Sequence, residues 1–584
     1  MKQNTTQSIL LATIFSAFFL VSCGDTKNPD NSAANLPKDA KGGKVYGGVF
    51  KLNETEYIKS LYPLSIIDVY SLRTATQIYE GLLKFKQDDL SLIPALAESY
   101  SVDETKTIYT FVLRKGVLFH DNECFSGGKG REMTAEDVKY CFTRTCTQDA
   151  QNQGFSVFQD VLKGANEYHK ASTGGKKPSF EVEGIKVIDK NTIQLTLNQP
   201  SAVFLYGLAK PFTFIYPKEA VEKYGSEMRT KAVGTGAFTL ASLEENNSII
   251  LKRNPKYYQK DKDGNVLPFL EAIKITFIKD KKTELFEFQK GNLDMVYRLP
   301  TDYITEATEK AAKAADGGIQ DFDLQRNPEM TTQYLYFMTK NEVFKDLNVR
   351  KAFSFAIDRQ KILDYALGGE GEAAGEHGIT PPTFKNYDIS KIRGYGLNID
   401  SAKYYFEKAG FSGGKGFPLV TLELNAEGNR QTDVAQEIQK QLKDHLNINI
   451  KINIMPIAQL LDNGFAGKFN MLKTSYYADY PSAENFLSLF LGKFVPDNDA
   501  EKSIPNMARF KNAKYDALYA QAVSSKSEEE ANELFAKAEQ ILMDNAPIIV
   551  LWYDEAYRLV KMNVKDFPNN AMQWRDFSGV YFKK

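Results

Sequence analysis

Apolar and polar positions repeat along the chain with the periods of both strands and helices. Residues 420–424 alternate between apolar and polar, which predicts a strand with one buried face. Residues 434–442 carry an apolar side chain at every fourth position and predict a helix with one apolar stripe. Isoleucines then alternate with Asn and Lys over residues 448–454, which predicts a second strand. A strand, a helix and a strand in this order indicate a crossover unit in a parallel sheet.

Further elements are indicated by their end signals. Thr134 with Asp137 three residues later predicts the start of a helix that continues through Tyr140. Ser527 predicts the start of a longer amphipathic helix, which should end at residues 545–547. The apolar run over residues 548–552 has the length of a buried strand. We therefore predict a mixed α/β protein without internal repeats.

The N-terminus carries a different pattern, an unbroken apolar run. It covers thirteen residues, 9–21, which is too short for a permanent membrane helix of about 20 residues. With Lys2 before it and Cys23 after it, the run fits a secretory signal, and the Leu-Val-Ser-Cys ending resembles a bacterial lipobox. We expect residues 1–22 to be a signal peptide and Cys23 to carry two acyl chains. A plain cleaved signal and an uncleaved anchor are the alternatives.

Composition bounds the rest of the molecule. Residues 23–45 are polar and small, so we expect a lipidated Cys followed by a flexible linker. The remaining length exceeds one hydrophobic core and predicts two or three domains. The net charge of −1 gives no reason to expect nucleic acid as a partner. No later apolar run reaches membrane length, so the membrane contact should be the lipid alone.

The residues that could carry metal or redox chemistry are few. Cys124, Cys141 and Cys146 allow one disulfide with a thiol left over, or three buried thiols, and the sequence leaves this open. No Cys-x-x-Cys spacing occurs, and the four His residues are scattered. We therefore expect no metal site and no cofactor.

Nine short segments carry a more specific signal. They include Gly47-Gly-Val-Phe50, Ile78-Tyr-Glu-Gly-Leu82 and Val233-Gly-Thr-Gly-Ala-Phe238. The others cover residues 94–99, 109–114 leading to 119–121, 133–138, 253–258, 349–359 and 546–548. In this order the segments resemble the family 5 extracellular solute-binding proteins of ABC importers, the dipeptide- and oligopeptide-binding class. The resemblance covers residues 47 to about 553, nearly the whole predicted mature chain.

This resemblance implies a fold and a division into domains. We expect a two-lobed periplasmic-binding-protein-like clamshell (type II, cluster C-like) with a third, smaller domain. Lobe I would combine residues 46–78, 180–277 and 548–584, the extra domain II would be 79–179, and lobe III would be 278–547. The chain should cross between the lobes near residues 275–278 and again near 547–553. Glycines and charges in the family motifs, among them Arg114, Arg350 and Asp358, are expected to be structural.

The resemblance also implies where a ligand binds. In peptide-binding members an Asp in an Ala-Asp-Tyr context takes the ligand's α-ammonium group, and Asp479 stands at that place. A buried ammonium needs a charged acceptor, so the chemistry fits. The residues before it would form an extended edge that pairs with peptide main chain. The predicted ligand-binding residues of this wall are Lys473, Tyr476, Tyr477, Ala478, Asp479 and Tyr480, with Lys473 able to meet a ligand carboxylate.

A second wall is expected at residues 66–70, which in the family face the solute as a loop. Its candidate ligand-binding residues are Ile67, Asp68, Val69 and Tyr70. The alternatives are a surface turn or helix cap for Asp479 and a plain connecting loop for the second wall. Tyr side chains suit such a cleft, because they offer apolar contact together with a hydroxyl.

The function that follows is a substrate-binding lipoprotein that captures peptides between its lobes. It would deliver them to an ABC permease with separate ATPase subunits, acting as a monomer on the outer side of a bacterial membrane. The same fold with another cargo (a nickel chelate, haem, an oligosaccharide or an opine) is the main alternative. A secreted hydrolase is disfavoured, because Gly-x-Ser-x-Gly occurs only at residues 410–414, in a Gly-rich loop, and His-Glu-x-x-His does not occur in the sequence. A lipoprotein for adhesion with a degenerate cleft is a further alternative.

Overall fold

The structure, a computed structural model, describes residues 39–315, 321–384, 386–425 and 428–583. The predicted signal peptide, Cys23 and most of the predicted linker therefore lie outside the described residues.

The strands range from two residues to sixteen. They are β1 Val49–Asn53, β2 Leu83–Phe85, β3 Leu92–Pro94, β4 Ala97–Val102, β5 Ile108–Leu113, β6 Ile185–Asp189, β7 Thr192–Thr196, β8 Phe238–Glu244, β9 Ser248–Arg253, β10 Ala272–Thr276, β11 Met295–Tyr297, β12 Phe322–Phe337, β13 Ala373–Ala374, β14 Val420–Asn425, β15 Ile450–Met455, β16 Met471–Tyr477, β17 Ile548–Lys561, β18 Val564–Lys565 and β19 Tyr581–Phe582. Strands β12 and β17 are the longest of these, and they pair with each other.

The helices are distributed along the whole described chain. They are α1 Val69–Ala75, α2 Ala135–Cys146, α3 Ala165–Ala171, α4 Phe204–Gly207, α5 Lys218–Tyr224, α6 Lys281–Gln289, α7 Thr301–Ala315, α8 Leu347–Ala356, α9 Arg359–Lys361, α10 Ile399–Lys408, α11 Gly428–Leu446, α12 Ile457–Phe465, α13 Ala483–Leu487, α14 Ala513–Val523 and α15 Glu528–Asn545. The starts predicted from Thr134 and Ser527 are confirmed, since these residues cap α2 and α15.

Two four-stranded sheets form the first half of the molecule. One has the order β1-β10-β9-β8, with β1 parallel to β10, and the other is the antiparallel sheet β4-β5-β7-β6. Helix α2 packs against β6 and β7. One hydrophobic core joins both sheets and includes Phe50, Phe111 and Phe577. We call this region, with β18 and β19, the first half.

A seven-stranded sheet forms the second half. Its order is β11-β17-β12-β16-β14-β15, and β13 adds to β17. The predicted unit of strand, helix and strand is confirmed, because β14 and β15 run parallel and are joined by α11. Two cores cover the faces of this sheet, one containing Ile548 and Val550 and the other Ile549 and Leu551. A strand buried on both faces is the reason that the apolar run at 548–552 does not alternate.

Strand β17 continues nine residues beyond the predicted run, from Trp552 to Lys561. It stays in the seven-stranded sheet over its whole length, pairing with β11, β12 and β13. The chain returns to the first half only afterwards, where β18 pairs with β19. We therefore place the second crossing after Lys561 rather than at residues 547–553. In our proposed domain division the last segment of lobe I then begins after Lys561 and not at 548.

The three cysteines of the described chain are free thiols. Cys141 and Cys146 are buried, and Cys124 is partly exposed. Burial raises the pKa of each of these thiols, so the thiolate form is disfavoured. Of the two alternatives left open by the sequence, the structure has thiols rather than a disulfide.

Candidate ligand-binding site

Strand β16 leads directly to Asp479 and has an incompletely paired edge. It pairs with β12 along its whole length, from Met471 to Tyr477. On its other side it pairs with β14 only through Met471 and Leu472. No other described strand pairs with the edge of residues 473–477. This is the extended edge on which peptide main chain could add as a strand.

Asp479 lies where the two halves of the molecule meet. Its side chain is 54% exposed, and its Oδ2 is 3.3 Å from the Nζ atom of Lys210, which belongs to the first half. The backbone N–H of Asp479 donates to Asn485 Oδ1 at 2.7 Å and holds the turn. Lys210 also lies 4.4 Å from the ring centre of Tyr480. The carboxylate of Asp479 thus already faces an ammonium group at the junction between the halves.

Three of the predicted site residues next to Asp479 are held by packing and backbone contacts within the protein. Tyr480 stacks on Tyr206 with ring centres 5.3 Å apart, and Tyr476 packs edge-on against Phe486. Ala478 is buried, and its N–H donates to the carbonyl of Met330. Tyr476, Ala478 and Tyr480 therefore fix the turn.

Tyr477 is the exception, because its hydroxyl is buried without a hydrogen-bond partner among the described residues. Burial raises the pKa of this hydroxyl well above its usual value, and nearby Glu329 and Tyr297 raise it further. The hydroxyl therefore stays protonated and can donate a hydrogen bond to a ligand.

Lys473 is buried in the sheet. Only 2% of the residue is exposed, and its Nζ donates to Gln333 Oε1 at 2.9 Å. The ammonium also lies 5.0 Å from the ring centre of Trp552. Gln333 in turn donates to Asp554 at 2.8 Å. Lys473 thus belongs to a buried polar network, and a ligand carboxylate would have to enter that network to reach it.

The second wall is a helix start instead of the loop expected from the sequence. Asp68 caps α1, because its Oδ1 accepts from Ser71 N–H at 2.8 Å and its Oδ2 accepts from the Ser71 hydroxyl at 2.7 Å. Val69 and Tyr70 form the first turn of that helix, and Ile67 is 63% exposed before it. The Tyr70 hydroxyl lies 3.0 Å from Thr55 Oγ1. Both Asp68 oxygens are thus occupied by the cap.

A set of charged residues fills the space between the two walls. It joins side chains from both halves, and we call it the charge cluster. Its members are Glu54, Arg73 and Arg575 of the first half and Arg298, Glu329, Glu370, Arg430 and Asp554 of the second half. Buried charges at such density are expensive unless paired, and they concentrate at functional sites.

The second-half members of the charge cluster are three carboxylates and two guanidinium groups, and each guanidinium group pairs with two of the carboxylates. Arg298 lies 2.5 Å from Glu329 and 3.0 Å from Asp554, and Arg430 lies 3.0 Å from Asp554 and 3.4 Å from Glu370. Burial raises the pKa of Asp554, but Arg298 and Arg430 outweigh burial, so the pKa lies well below its usual range. Burial is the main cause that raises the pKa of Glu329 and of Glu370. Arg298 has a φ of +58°, a left-handed conformation that marks a strained position.

The first-half members surround one aromatic ring. Arg73 and Arg575 each lie 5.1 Å from the ring centre of Tyr297. Both guanidinium groups pair with Glu54, each at 3.1 Å. Tyr297 donates its hydroxyl to Glu329 at 2.5 Å. The ring of Tyr297 therefore joins the two parts of the charge cluster.

None of the charge-cluster residues was predicted as a site residue from the sequence. The available signal was the presence of Asp554, Glu555 and Arg558 inside a stretch that is otherwise apolar. Charges at strand positions are unusual and point to buried partners. The partners themselves, such as Arg73 and Arg575, stand in no recognisable pattern.

This α/β fold has two halves with a candidate binding site at their junction. Such an arrangement is that of a solute-binding protein. Residues 91–498 match the family model described as bacterial extracellular solute-binding proteins, family 5 Middle. This match covers more than half of the chain, and the protein belongs to that family. The resemblance inferred from the nine motifs is confirmed.

Curated relatives extend the match to the whole chain. A protein named Heme-binding protein A of Haemophilus influenzae is 26% identical over 589 residues, covering 99% of this chain and 99% of the relative. The periplasmic oligopeptide-binding protein OppA of Escherichia coli is 26% identical and covers 87% of this chain and 88% of the relative. The relatives thus differ in the ligand for which they are named.

Solved structures share the fold. The periplasmic binding protein DppA of Helicobacter pylori, in complex with the peptide STSA, has a TM-score of 0.77 and 22% identity. The comparison covers 92% of this chain and 99% of that structure. The two-lobed α/β architecture expected from the sequence is therefore supported over nearly the whole described chain.

Proposed function

We propose that this protein captures peptides between its two halves and delivers them to a membrane permease of an ABC importer. Relatives named as oligopeptide- and dipeptide-binding proteins support this proposal. The observation that carries it is the position of Asp479, whose carboxylate faces an ammonium group at the junction of the halves. The adjacent edge of residues 473–477 offers main-chain groups, so peptide sequence would matter little for the backbone contacts.

The contacts of Lys210 support a way in which a peptide amine would be held. Its Nζ lies both at the Asp479 carboxylate and over the Tyr480 ring. A peptide α-ammonium group would take this place, and Lys210 would move toward solvent. Carboxylate and aromatic ring together stabilise a cation that has lost water.

The proposed location is the outer side of a bacterial membrane. The predicted signal peptide and Cys23 would provide export and a lipid anchor, and two acyl chains suffice for stable attachment. Among the helices of the described residues, none is both long and apolar enough to span a membrane. The protein would act there as a monomer that closes on its ligand, with the ATPase subunits supplying the energy. We propose no catalytic role.

The first experiment measures peptide affinity by calorimetry with the Asp479→Asn variant. We expect a loss of about 2 kcal/mol, the lower end for removing one partner of a charge pair, because Asp479 is half-exposed. Acetylating the peptide N-terminus should cause a similar loss with the native protein and little further loss with the variant. This coupling identifies the ammonium as the partner of Asp479.

The matched control is Asp497→Asn, which removes a fully exposed carboxylate on the surface. It should leave the affinity unchanged. Equal affinities of Asp479→Asn and the native protein would remove Asp479 from the site. Failure of every tested peptide to bind would contradict the proposed function itself.

Haem is a second candidate ligand, because one relative of nearly full-length coverage is named for it. In the described residues no group of three or more His, Cys, Asp or Glu side chains could hold a metal ion. Native mass spectrometry of the protein as purified distinguishes the two ligands by mass. A visible absorption spectrum of the same sample separately detects haem.

A further inference from the structure

The first-half part of the charge cluster carries more positive than negative charge. Arg73 and Arg575 share the single carboxylate of Glu54, with one oxygen for each guanidinium. Arg558, on strand β17 of the second half, is a further buried guanidinium group in this region, and it donates to Gln325, Gln573 and the carbonyl of Pro568. Among the described residues Arg558 has no ion-pair partner. Two buried guanidinium groups of the first half thus share one carboxylate.

Arg575 has one complete edge of its guanidinium unoccupied. Its Nη1 pairs with Glu54, whereas Nε and Nη2 have no hydrogen-bond partner in the described part of the chain. Only 2% of Arg575 is exposed, so bulk solvent does not reach these atoms. Nε and Nη2 lie on the same side of a guanidinium, which is the geometry that a carboxylate binds with two parallel hydrogen bonds.

Two further donors lie in the same region without partners. Nε of Arg73 is buried and unpaired within the described residues, and so is the hydroxyl of Tyr477. Arg73 and Arg575 lie over the same Tyr297 ring, at equal distances of 5.1 Å. A buried donor without an acceptor costs about 1–3 kcal/mol, more for a charged group. An anionic acceptor at the Arg575 edge would remove this cost there.

We propose that Arg73 and Arg575 form an anion-binding subsite that takes a carboxylate of the ligand. The carboxylate would bind the Nε–Nη2 edge of Arg575 and receive a further hydrogen bond from Arg73. This inference rests on the proposed function, because it assigns a class of peptide to the same cleft. That class is peptides with a carboxylate within reach of the Tyr477 end of β16, either an acidic side chain or the free C-terminus.

The subsite contrasts with the second-half part of the charge cluster. Arg298 and Arg430 have Glu329, Glu370 and Asp554 as partners, so they need no anion from a ligand. The Nε–Nη2 edge of Arg575, by contrast, has no carboxylate beside it in the described part of the chain. The open edge of Arg575 therefore indicates that a ligand group binds there.

The experiment uses the full chain and a series of short peptides in calorimetry. Pairs differ only in Glu against Gln at one position, with the position moved along the peptide, and each peptide is made as C-terminal acid and amide. We expect at least a tenfold tighter binding for one Glu peptide over its Gln partner, or for the acid over the amide. The first result assigns the carboxylate to a side chain, and the second assigns it to the C-terminus.

Variants then connect the preference to the subsite. Arg575→Gln should reduce the preference to less than twofold while the neutral peptide keeps its affinity. Arg575→Lys keeps the charge but loses the two-donor edge, so it should retain an intermediate preference. Arg393→Gln is the control, because it removes an exposed guanidinium, 83% accessible, and should keep the full preference. Circular dichroism establishes that each variant is folded, and Arg73→Gln replaces Arg575→Gln if the latter does not fold.

The outcomes separate this inference from the proposed function. If no peptide binds, the proposed function fails. If neutral peptides bind and neither Glu nor a free C-terminus improves affinity, peptide binding stands and the anion subsite is overturned. A carboxylate preference that survives both Arg575→Gln and Arg73→Gln also overturns it, because the anion then binds elsewhere.

Discussion

At the scale of single residues, His120 makes stability depend on pH. Its ring is buried, Nε2 lies 2.9 Å from the Gly236 carbonyl and Nδ1 accepts from Gly234 N–H. Burial is the main cause that lowers the pKa of His120 from 6.5 to about 4. The folded state thus holds fewer protons than the unfolded state between these values, so stability falls as pH decreases from 6.5 to 4. The loss amounts to at most about 3 kcal/mol, and above pH 6.5 it is absent.

The measurement compares the native protein with His120→Gln in urea unfolding at several pH values. Other groups titrate in the same window, so the difference between the two proteins isolates His120. We expect this difference to change between pH 6.5 and 4 and to be constant above. A difference that does not vary with pH would show that His120 is accessible to protons in the folded protein.

Single charged residues were predictable where they serve the backbone. Arg114 donates to the Ala95 carbonyl, Arg350 donates to carbonyls at the end of α15, and Asp358 caps α9, as their structural interpretation required. Asp68 also serves as a cap, although the sequence analysis assigned it to a ligand-facing loop. The charge cluster was not predictable, because its members meet only in three dimensions and a single sequence gives no spacing for such contacts.

At the scale of elements, α2 tests how much a local sequence signal contributes. The hydroxyl of Thr134 accepts from the backbone of the first turn, and Asp137 accepts in return from Thr134 N–H at 2.9 Å. Thr134→Ala should destabilise the helix by about 1 kcal/mol, because a first-turn N–H loses its acceptor. Hydrogen exchange of the amides at 135–138 should accelerate about fivefold, the factor for that energy.

Thr134→Ser is the matched control for this helix. It retains the hydroxyl and should leave hydrogen exchange close to native. Local exchange is the better measurement for this helix, because it reports the opening of α2 itself and not the unfolding of the whole protein. Equal exchange in the Ala and Ser variants would show that tertiary packing, rather than the cap, holds the start of α2.

Elements were predicted best where periodicity and end signals agreed. The unit of β14, α11 and β15 follows its alternating and fourfold patterns closely. Strand β17 was predicted too short, because Asp554, Glu555 and Arg558 interrupt its apolar run. These side chains are buried with charged or polar partners from other elements, and the sequence of the strand alone does not contain those partners.

At the scale of the whole molecule, the structure has its two halves in contact. Polar contacts across the junction include the ion pairs Lys210–Asp479 and Lys493–Asp160, both at 3.3 Å, and Gln199–Ser524 at 3.0 Å. Lys493 and Asp160 are more than half exposed, and such pairs contribute about 0–1 kcal/mol. Buried donors of Arg73 and Arg575 have no hydrogen-bond partner among the described residues, which costs free energy in the closed form when no ligand is bound. The contact between the halves should therefore be weak until a ligand enters.

This argument predicts a ligand-dependent change in size. Small-angle X-ray scattering of the peptide-free protein should give a larger radius of gyration than the one calculated from the structure, in which the halves are in contact. A saturating concentration of peptide should reduce the measured radius. The shift follows because a ligand stabilises the closed form only by binding it more tightly than the open form. At the same peptide concentration the Asp479→Asn variant should keep the larger radius of gyration. At higher peptide concentration its weakened site fills, and the radius should fall to that of the native protein with bound peptide. A radius of gyration that is equal with and without bound peptide would show that the halves are held together by the protein alone, and that ligand capture does not depend on closure.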